Sequence, residues 1–188
     1  MSTTKALLIS LGICVIAAVL EGLCSGKGVK EYFAKLKFPR YSAPLWVWYI
    51  IGGIYYLVFF FVIYRILRQN TDEFFTQATL VFILFMMALN ALWNYVFFRA
   101  QNLFVSFVMA SLFPLLDVIL LVLIAQVDRA ATWSLIPYLI YRVYGVWWGY
   151  GFWKANRNRE PLQLNGFAAS APASQDSVGC STTDLHEE

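Results

Sequence analysis

Residues 103–127 read LFVSFVMASLFPLLDVILLVLIAQV, a run of 25 residues with one ionisable side chain, Asp117. A helix needs roughly 20 mainly apolar residues to cross the hydrocarbon core of a bilayer, so this stretch places the chain in lipid. Four further runs of the same kind lie around it: Ala6 to Cys24, Leu45 to Leu67, Ala78 to Phe98 and Thr132 to Trp153. Backbone groups in lipid must be satisfied within the segment or in a closed barrel. These runs are continuous rather than alternating, so the sequence predicts an all-α membrane protein, a bundle of five transmembrane helices within residues 1–156.

Composition agrees. Of 188 residues 60% are hydrophobic and 18% aromatic, and only 13% are charged, against about 25% in a soluble domain. The length suits one domain. A net charge of +3 without a basic stripe speaks against a nucleic-acid partner. Three scattered cysteines, Cys14, Cys24 and Cys180, do not form a disulfide framework. The single histidine, His186, lies near the end of the chain, which excludes a His-based metal or catalytic centre in the membrane. No nucleophile with a base, phosphate loop or metal-ligand cluster stands in the apolar runs, so nothing asks for an obligatory cofactor or a conventional enzyme.

Lys5 before the first apolar run, with small residues near Ser25, also fits a signal peptide. The run is long for that role and Glu21 sits awkwardly before any cleavage site, so it is read as a helix. From Arg157 the character changes to Ala- and Ser-rich and then acidic, and residues 157–188 are expected to be a disordered polar tail. No internal repeat supports a transporter built of duplicated halves.

The basic residues set an orientation. Loop one, Ser25 to Ala43, carries Lys27, Lys30, Lys35, Lys37 and Arg40; with Arg99, Lys154, Arg157 and Arg159 this side holds nine, against four on the other (Lys5, Arg65, Arg68, Arg129). The excess places loop one and the C-terminus in the cytoplasm.

Several side chains invite a functional reading. Asn90, Trp93, Asn94 and Phe97 recur at three and four residues and share one helix face. Two amides on one face are costly against lipid, so the face should turn inward, for interhelical hydrogen bonds or for a ligand. Asp117 and Arg142 lie at similar depth, and a charge near the bilayer centre costs about 2.5–3.5 kcal/mol on insertion scales. They are expected to face each other or a wet cavity, as a structural pair or as a polar floor. Trp46 and Trp48 open the second run and suit an aromatic belt. The loop stretch holding Lys35, Lys37 and Pro39 reads as an interfacial anchor or as a lid with cations for an anionic ligand. Gly145 and Gly149 form a Gly-x-x-x-Gly frame for close helix packing, within the chain or in a homodimer. Val146, Tyr150 and Lys154 match the loose sterol-contact pattern, which often arises by chance. Together these residues describe an aromatic-lined membrane cavity suited to a flat apolar ligand.

Three blocks resemble the translocator protein family, also called tryptophan-rich sensory proteins or peripheral benzodiazepine receptors. Pro44-Leu45-Trp46-Val47 resembles the family's Pro-Pro-x-Trp-Val-Phe. Leu89 to Asn94 with Phe97-Phe98 resembles its Leu-Asn-x-x-Trp-Ser-x-x-Phe-Phe. Pro137-Tyr138-Leu139-Ile140-Tyr141, with Trp153-Lys154-Ala155-Asn156, resembles Pro-Tyr-Leu-x-Trp ending in Trp-Arg-x-Asn. The resemblance implies a five-helix bundle, often dimeric, that binds porphyrins, haem, cholesterol and synthetic ligands. It implies a pocket at Trp46, Asn90, Trp93, Tyr141 and Gly145, with Asn94 and Phe97 on the same helix face, under the loop around Lys35 to Pro39. The membrane would be the mitochondrial outer membrane in a eukaryote or a cell-envelope membrane in a bacterium.

The departures matter. Ala43 replaces a proline, Gly52 and Tyr141 each replace a tryptophan, Gly149 replaces an asparagine, and Arg142 is unusual in its place. Some bacterial members degrade protoporphyrin in light and oxygen through tryptophans, so the losses at Gly52 and Tyr141 weigh against that activity here. The leading expectation is a membrane protein that binds tetrapyrroles or sterols, with a role in their transport, sensing or homeostasis. The alternatives are light-dependent porphyrin breakdown and a small transporter or channel using Asp117 and Arg142.

Overall fold

The computed structural model describes residues 1–40, 42–69 and 73–157; apart from Arg157, the expected tail lies outside these. All regular structure among the described residues is helical: α1 (Thr3–Ser25), α2 (Val29–Lys35), α3 (Leu45–Arg68), α4 (Glu73–Asn94), α5 (Leu103–Val127) and α6 (Arg129–Asn156). A single π-helical turn, Tyr95–Arg99, continues α4. Six helices are thus described where five segments were expected. The additional one is α2, seven residues inside loop one and far too short to span.

Four helices, α1, α3, α4 with its π turn, and α5, are long and apolar enough to cross a membrane. The fifth long helix, α6, has 28 residues but carries Arg129, Arg142 and Lys154 among tyrosines and glycines, a composition that keeps it outside that group. The outward faces fit a lipid solvent. Leu8, Ile16, Leu57, Val81 and Leu115 are all more than half exposed, and a water-soluble monomer rarely leaves so extensive an apolar surface open.

Local chemistry sets the ends. Ser2, Asn102 and Asp128 cap α1, α5 and α6 by accepting from the backbone N–H of Lys5, Val105 and Ala131. Gly26 stops α1 at φ 73°, where its N–H returns to the Gly22 carbonyl at 3.2 Å. A side chain would strain that left-handed backbone. Asp128 alone separates α5 from α6, so the two pack as a tight antiparallel hairpin.

Two packed regions bracket the molecule. One gathers Phe59, Val62, Ile63 and Ile66 of α3 with Ile83, Leu120, Ile124 and Leu135. The other gathers Tyr32 and Phe33 of α2 with Phe97, Leu103, Trp148 and Phe152. Beyond the first region, Asp128 accepts from Arg65 Nη2 at 2.6 Å and Nε at 3.3 Å, from Ala131 N at 2.7 Å, and from Gln69 Nε2. Burial pushes this carboxyl up, but the hydrogen bonds from Arg65, Ala131 and Gln69 outweigh it and hold the group below its ordinary value.

Asp128→Ala should destabilise the protein by about 1–2 kcal/mol, mostly through the lost cap, because the Arg65 side chain is partly exposed and its charge screened. Thermal unfolding in detergent, followed by circular dichroism, measures this. Because the folded Asp128 is the stronger acid, its contribution is complete above the unfolded carboxylate pKa and fades as pH falls through the lower, folded value. Wild type and variant should therefore converge in stability as the medium is acidified, and a constant gap down to strongly acidic pH would contradict the assignment.

Candidate functional site

Between the two packed regions the helices enclose a cavity of about 790 Å³, within the range of roughly 300–1,000 Å³ typical of small-molecule sites. Every helix contributes. From α1 come Ala18, Glu21 and Ser25; from α3 Trp48, Gly52, Tyr55 and Tyr56; from α4 Asn90, Trp93 and Asn94; from α5 Ala110 and Phe113; from α6 Tyr138, Tyr141, Arg142 and Gly145. Loop one and α2 close one end with Lys27, Lys30, Glu31 and Phe33.

The wall between α1 and α4 is a two-rung polar ladder. Asn90 Nδ2 donates to Glu21 Oε1 at 2.8 Å, and the single proton of the Ser25 hydroxyl is shared between the Glu21 carbonyl at 2.8 Å and Asn94 Oδ1 at 3.2 Å. Both helices contribute residues four apart, and that spacing puts the rungs one above the other. Asn94 Nδ2 also donates to the Asn90 carbonyl at 2.9 Å. Next to the ladder, Trp93 stacks on Phe97, with ring centroids 5.0 Å apart and planes 13° apart. Trp93 Nε1 donates to the Ser106 carbonyl of α5 at 2.9 Å, which satisfies the one polar group of the indole. The π turn adds a residue to the helix and brings Phe97, 2% exposed, under the ring of its neighbour.

Opposite, Arg142 Nε lies 3.3 Å from Asp117 Oδ2. The Arg142 guanidinium also sits over the Phe113 ring at 4.0 Å and near the Tyr138 ring at 4.9 Å. Asp117 is fully buried behind Arg142, so the cavity sees the arginine and not its carboxylate. Removing one partner of such a buried pair typically costs about 3–5 kcal/mol.

The expected α4 face, Asn90, Trp93, Asn94 and Phe97, lines the cavity, as do Tyr141 and Gly145. Trp46 does not. It is 63% exposed on the outer face of α3, and Trp48 takes the inner position. Two residues on a helix point to nearly opposite sides, and Trp48 rather than Trp46 shares the face of Gly52 and Tyr55. Trp48 packs on Trp148 at 4.5 Å and donates to the Ala43 carbonyl at 3.2 Å. A Cβ on Gly52 or Gly145 would meet nothing within 4 Å, so both glycines leave space in the cavity.

The lid also differs from expectation. Lys35, Lys37 and Pro39 do not border the cavity; the first half of loop one does. The second half is fastened to the end of α6. Buried Asn156 accepts from Lys37 N and donates to the Lys37 carbonyl, both at 2.9 Å, and Pro39 lies so close to Gly151 that an added Cβ would stand 2.9 Å from its ring. Trp148 Nε1 donates to Ser42 Oγ at 2.7 Å and adds a third tie.

The glycine frame is used within the chain. A Cβ on Gly149 would touch Phe107 and Ala110 of α5 at 3.7 and 3.8 Å, while Gly145 borders the cavity. Tyr150 and Lys154 are exposed outside the cavity, with Lys154 Nζ 5.8 Å from the Tyr150 ring and Tyr150 against Phe107 at 5.7 Å. Val146 does not line the cavity either, so the sterol-pattern residues stand apart from it. Sequence reasoning overlooked Glu21 as a wall residue. The available signal was an acid inside an apolar run, four residues before a serine.

A bundle of this kind, helical throughout its described residues and closed over a ligand-sized cavity by an amphipathic loop, defines a multi-pass integral membrane protein. The chain belongs to the TspO/MBR family, whose model matches residues 10–154. No curated protein matches it.

Asn156→Ala should release the second half of loop one, since it removes both hydrogen bonds to Lys37. Trypsin should then cut at Lys35, Lys37 or Arg40 several-fold faster than in wild type, with the helix content unchanged. Equal cleavage rates would show that other contacts hold the loop.

Proposed function

We propose that this protein binds a flat, largely apolar ring ligand, a tetrapyrrole or a sterol, in the cavity under loop one, and takes part in its transport, sensing or homeostasis. The observation that carries the reading is the cavity itself: about 790 Å³, walled by Trp48, Trp93, Tyr55 and Phe113. Aromatic faces stack on ring systems with little loss of conformational entropy. Lys27 and Lys30 border the cavity and are exposed, which supports a role as cations for propionate-like groups. Gly52 and Gly145 widen it where bulkier side chains would fill it.

In this reading α6 is the fifth span. Its ionisable Arg142 is matched by Asp117 inside the bundle, and Arg129 and Lys154 stand near its two ends, where long cations reach the interface. Loop one and the C-terminal end of α6 face the cytoplasm, following the excess of basic residues. Binding is favoured over porphyrin photochemistry, since the space beside Gly52 holds no indole.

Protoporphyrin IX added to the detergent-solubilised protein should quench tryptophan emission saturably. Trp93→Ala should weaken binding roughly tenfold, the scale of one lost aromatic stack. Quenching that rises linearly without saturation would overturn the proposal.

A further inference from the structure

The ionisable groups around the cavity, Lys27, Lys30 and Arg142 with Glu21, Glu31 and the Asp117 behind Arg142, balance in number but not in pairing. Arg142 is committed to Asp117, with Nε 3.3 Å from Oδ2, and its guanidinium is covered by Phe113 and Tyr138. That pair is neutral as a unit. Glu21 stands on the α1 wall, and its Oε1 accepts from Asn90 Nδ2 at 2.8 Å. Among the described residues no lysine or arginine nitrogen comes within 4.0 Å of its carboxylate. An amide donor solvates a carboxylate but does not neutralise it. The rim cations Lys27 and Lys30 lie beyond the end of α1, are exposed, and have Glu31 among them. Glu21 is therefore the one acid of the spanning helices that borders the cavity without a basic partner among the described residues. Such a charge is costly in a membrane unless something compensates it.

The walls supply the other half of a cation site. Trp48, Tyr55, Tyr56 and Trp93 line the same cavity as Glu21, and aromatic faces attract a desolvated ammonium. We infer that the cavity also selects lipophilic ammonium ions, flat polycyclic rings bearing a protonated amine, with Glu21 as the counter-charge. This rests on the cavity reading above and adds a charge preference to it. A ligand carboxylate is accommodated at the lysine rim, and an ammonium group is held lower down, at the Glu21–Asn90 rung.

Three probes with one ring and three charges test this: 1-pyrenemethylamine, 1-pyrenemethanol and 1-pyrenecarboxylic acid. Binding is read at pH 7 in detergent by energy transfer from tryptophan to pyrene, with protoporphyrin IX quenching measured on the same preparation. The wild type should bind the amine at least roughly tenfold tighter than the alcohol, the scale of a desolvated cation–π contact joined to an ion pair. Glu21→Gln should collapse that amine-to-alcohol ratio towards one. Equal wild-type affinities for amine and alcohol would overturn the inference without any variant, because they would mean that Glu21 is uncharged in the cavity or out of the ligand's reach. An unchanged ratio in a folded Glu21→Gln protein would overturn it as well. If protoporphyrin IX or the alcohol saturates while no charge preference appears, only this inference falls. If no probe saturates, the cavity reading falls with it.

Discussion

Asp117 has no exposed surface and is the one ionisable side chain of α5, so the rotation of α5 about its axis is constrained by a single carboxylate. Lipid offers such a group nothing, and the cost of leaving it there exceeds that of any individual apolar contact. Its partner has to come from α6, and Arg142 meets it at 3.3 Å. Once those two side chains face each other, the hairpin of α5 and α6 has a fixed inner side. Phe113 and Tyr138 flank the guanidinium, and Tyr141 and Gly145, one residue before and three after it, are carried to the cavity wall.

The same logic orients α1 against α4. In lipid there is no hydrophobic drive between helices, so packing detail and polar contacts decide which faces meet. The Glu21–Asn90 and Ser25–Asn94 rungs bring two polar stripes together. Trp93 then ties α4 to α5 through the Ser106 carbonyl. The cavity is the space left when these polar registers are satisfied and Gly52 and Gly145 supply no bulk to fill it. Tyr32, Phe33, Phe97 and Phe152 close one end of the bundle, and the Lys37–Asn156 clasp fastens the chain that runs over it.

Particular residues show how far the site could be read beforehand. The α4 face was legible because Asn90, Trp93, Asn94 and Phe97 repeat with the helical period, and amides do not face lipid. The resemblance pointed to the opening of α3 but to Trp46, whereas the helix turns Trp48 inward. Loop one was readable as an anchor or as a lid, yet its short helix α2 was not expected, because Val29–Lys35 is only two turns long and draws its order from packing Tyr32 and Phe33 on the bundle. The glycine frame of α6 carried a packing signal without saying what it packs on; α5 and the cavity proved to be the two answers.

By itself the sequence determined the apolar, membrane-suited character of the chain and its helical class, because these depend on the length and polarity of contiguous runs and on a backbone that has to satisfy its own hydrogen bonds. It also dictated that the few polar residues within those runs turn away from lipid. Only the tertiary structure decided that the expected Asp117–Arg142 pair leaves its arginine on the cavity wall, that Glu21 meets Asn90 there, and which of two neighbouring tryptophans lines the wall. Those outcomes depend on helix rotation and on contacts between residues far apart in the chain, such as Glu21 with Asn90 and Lys37 with Asn156, and no local pattern encodes them.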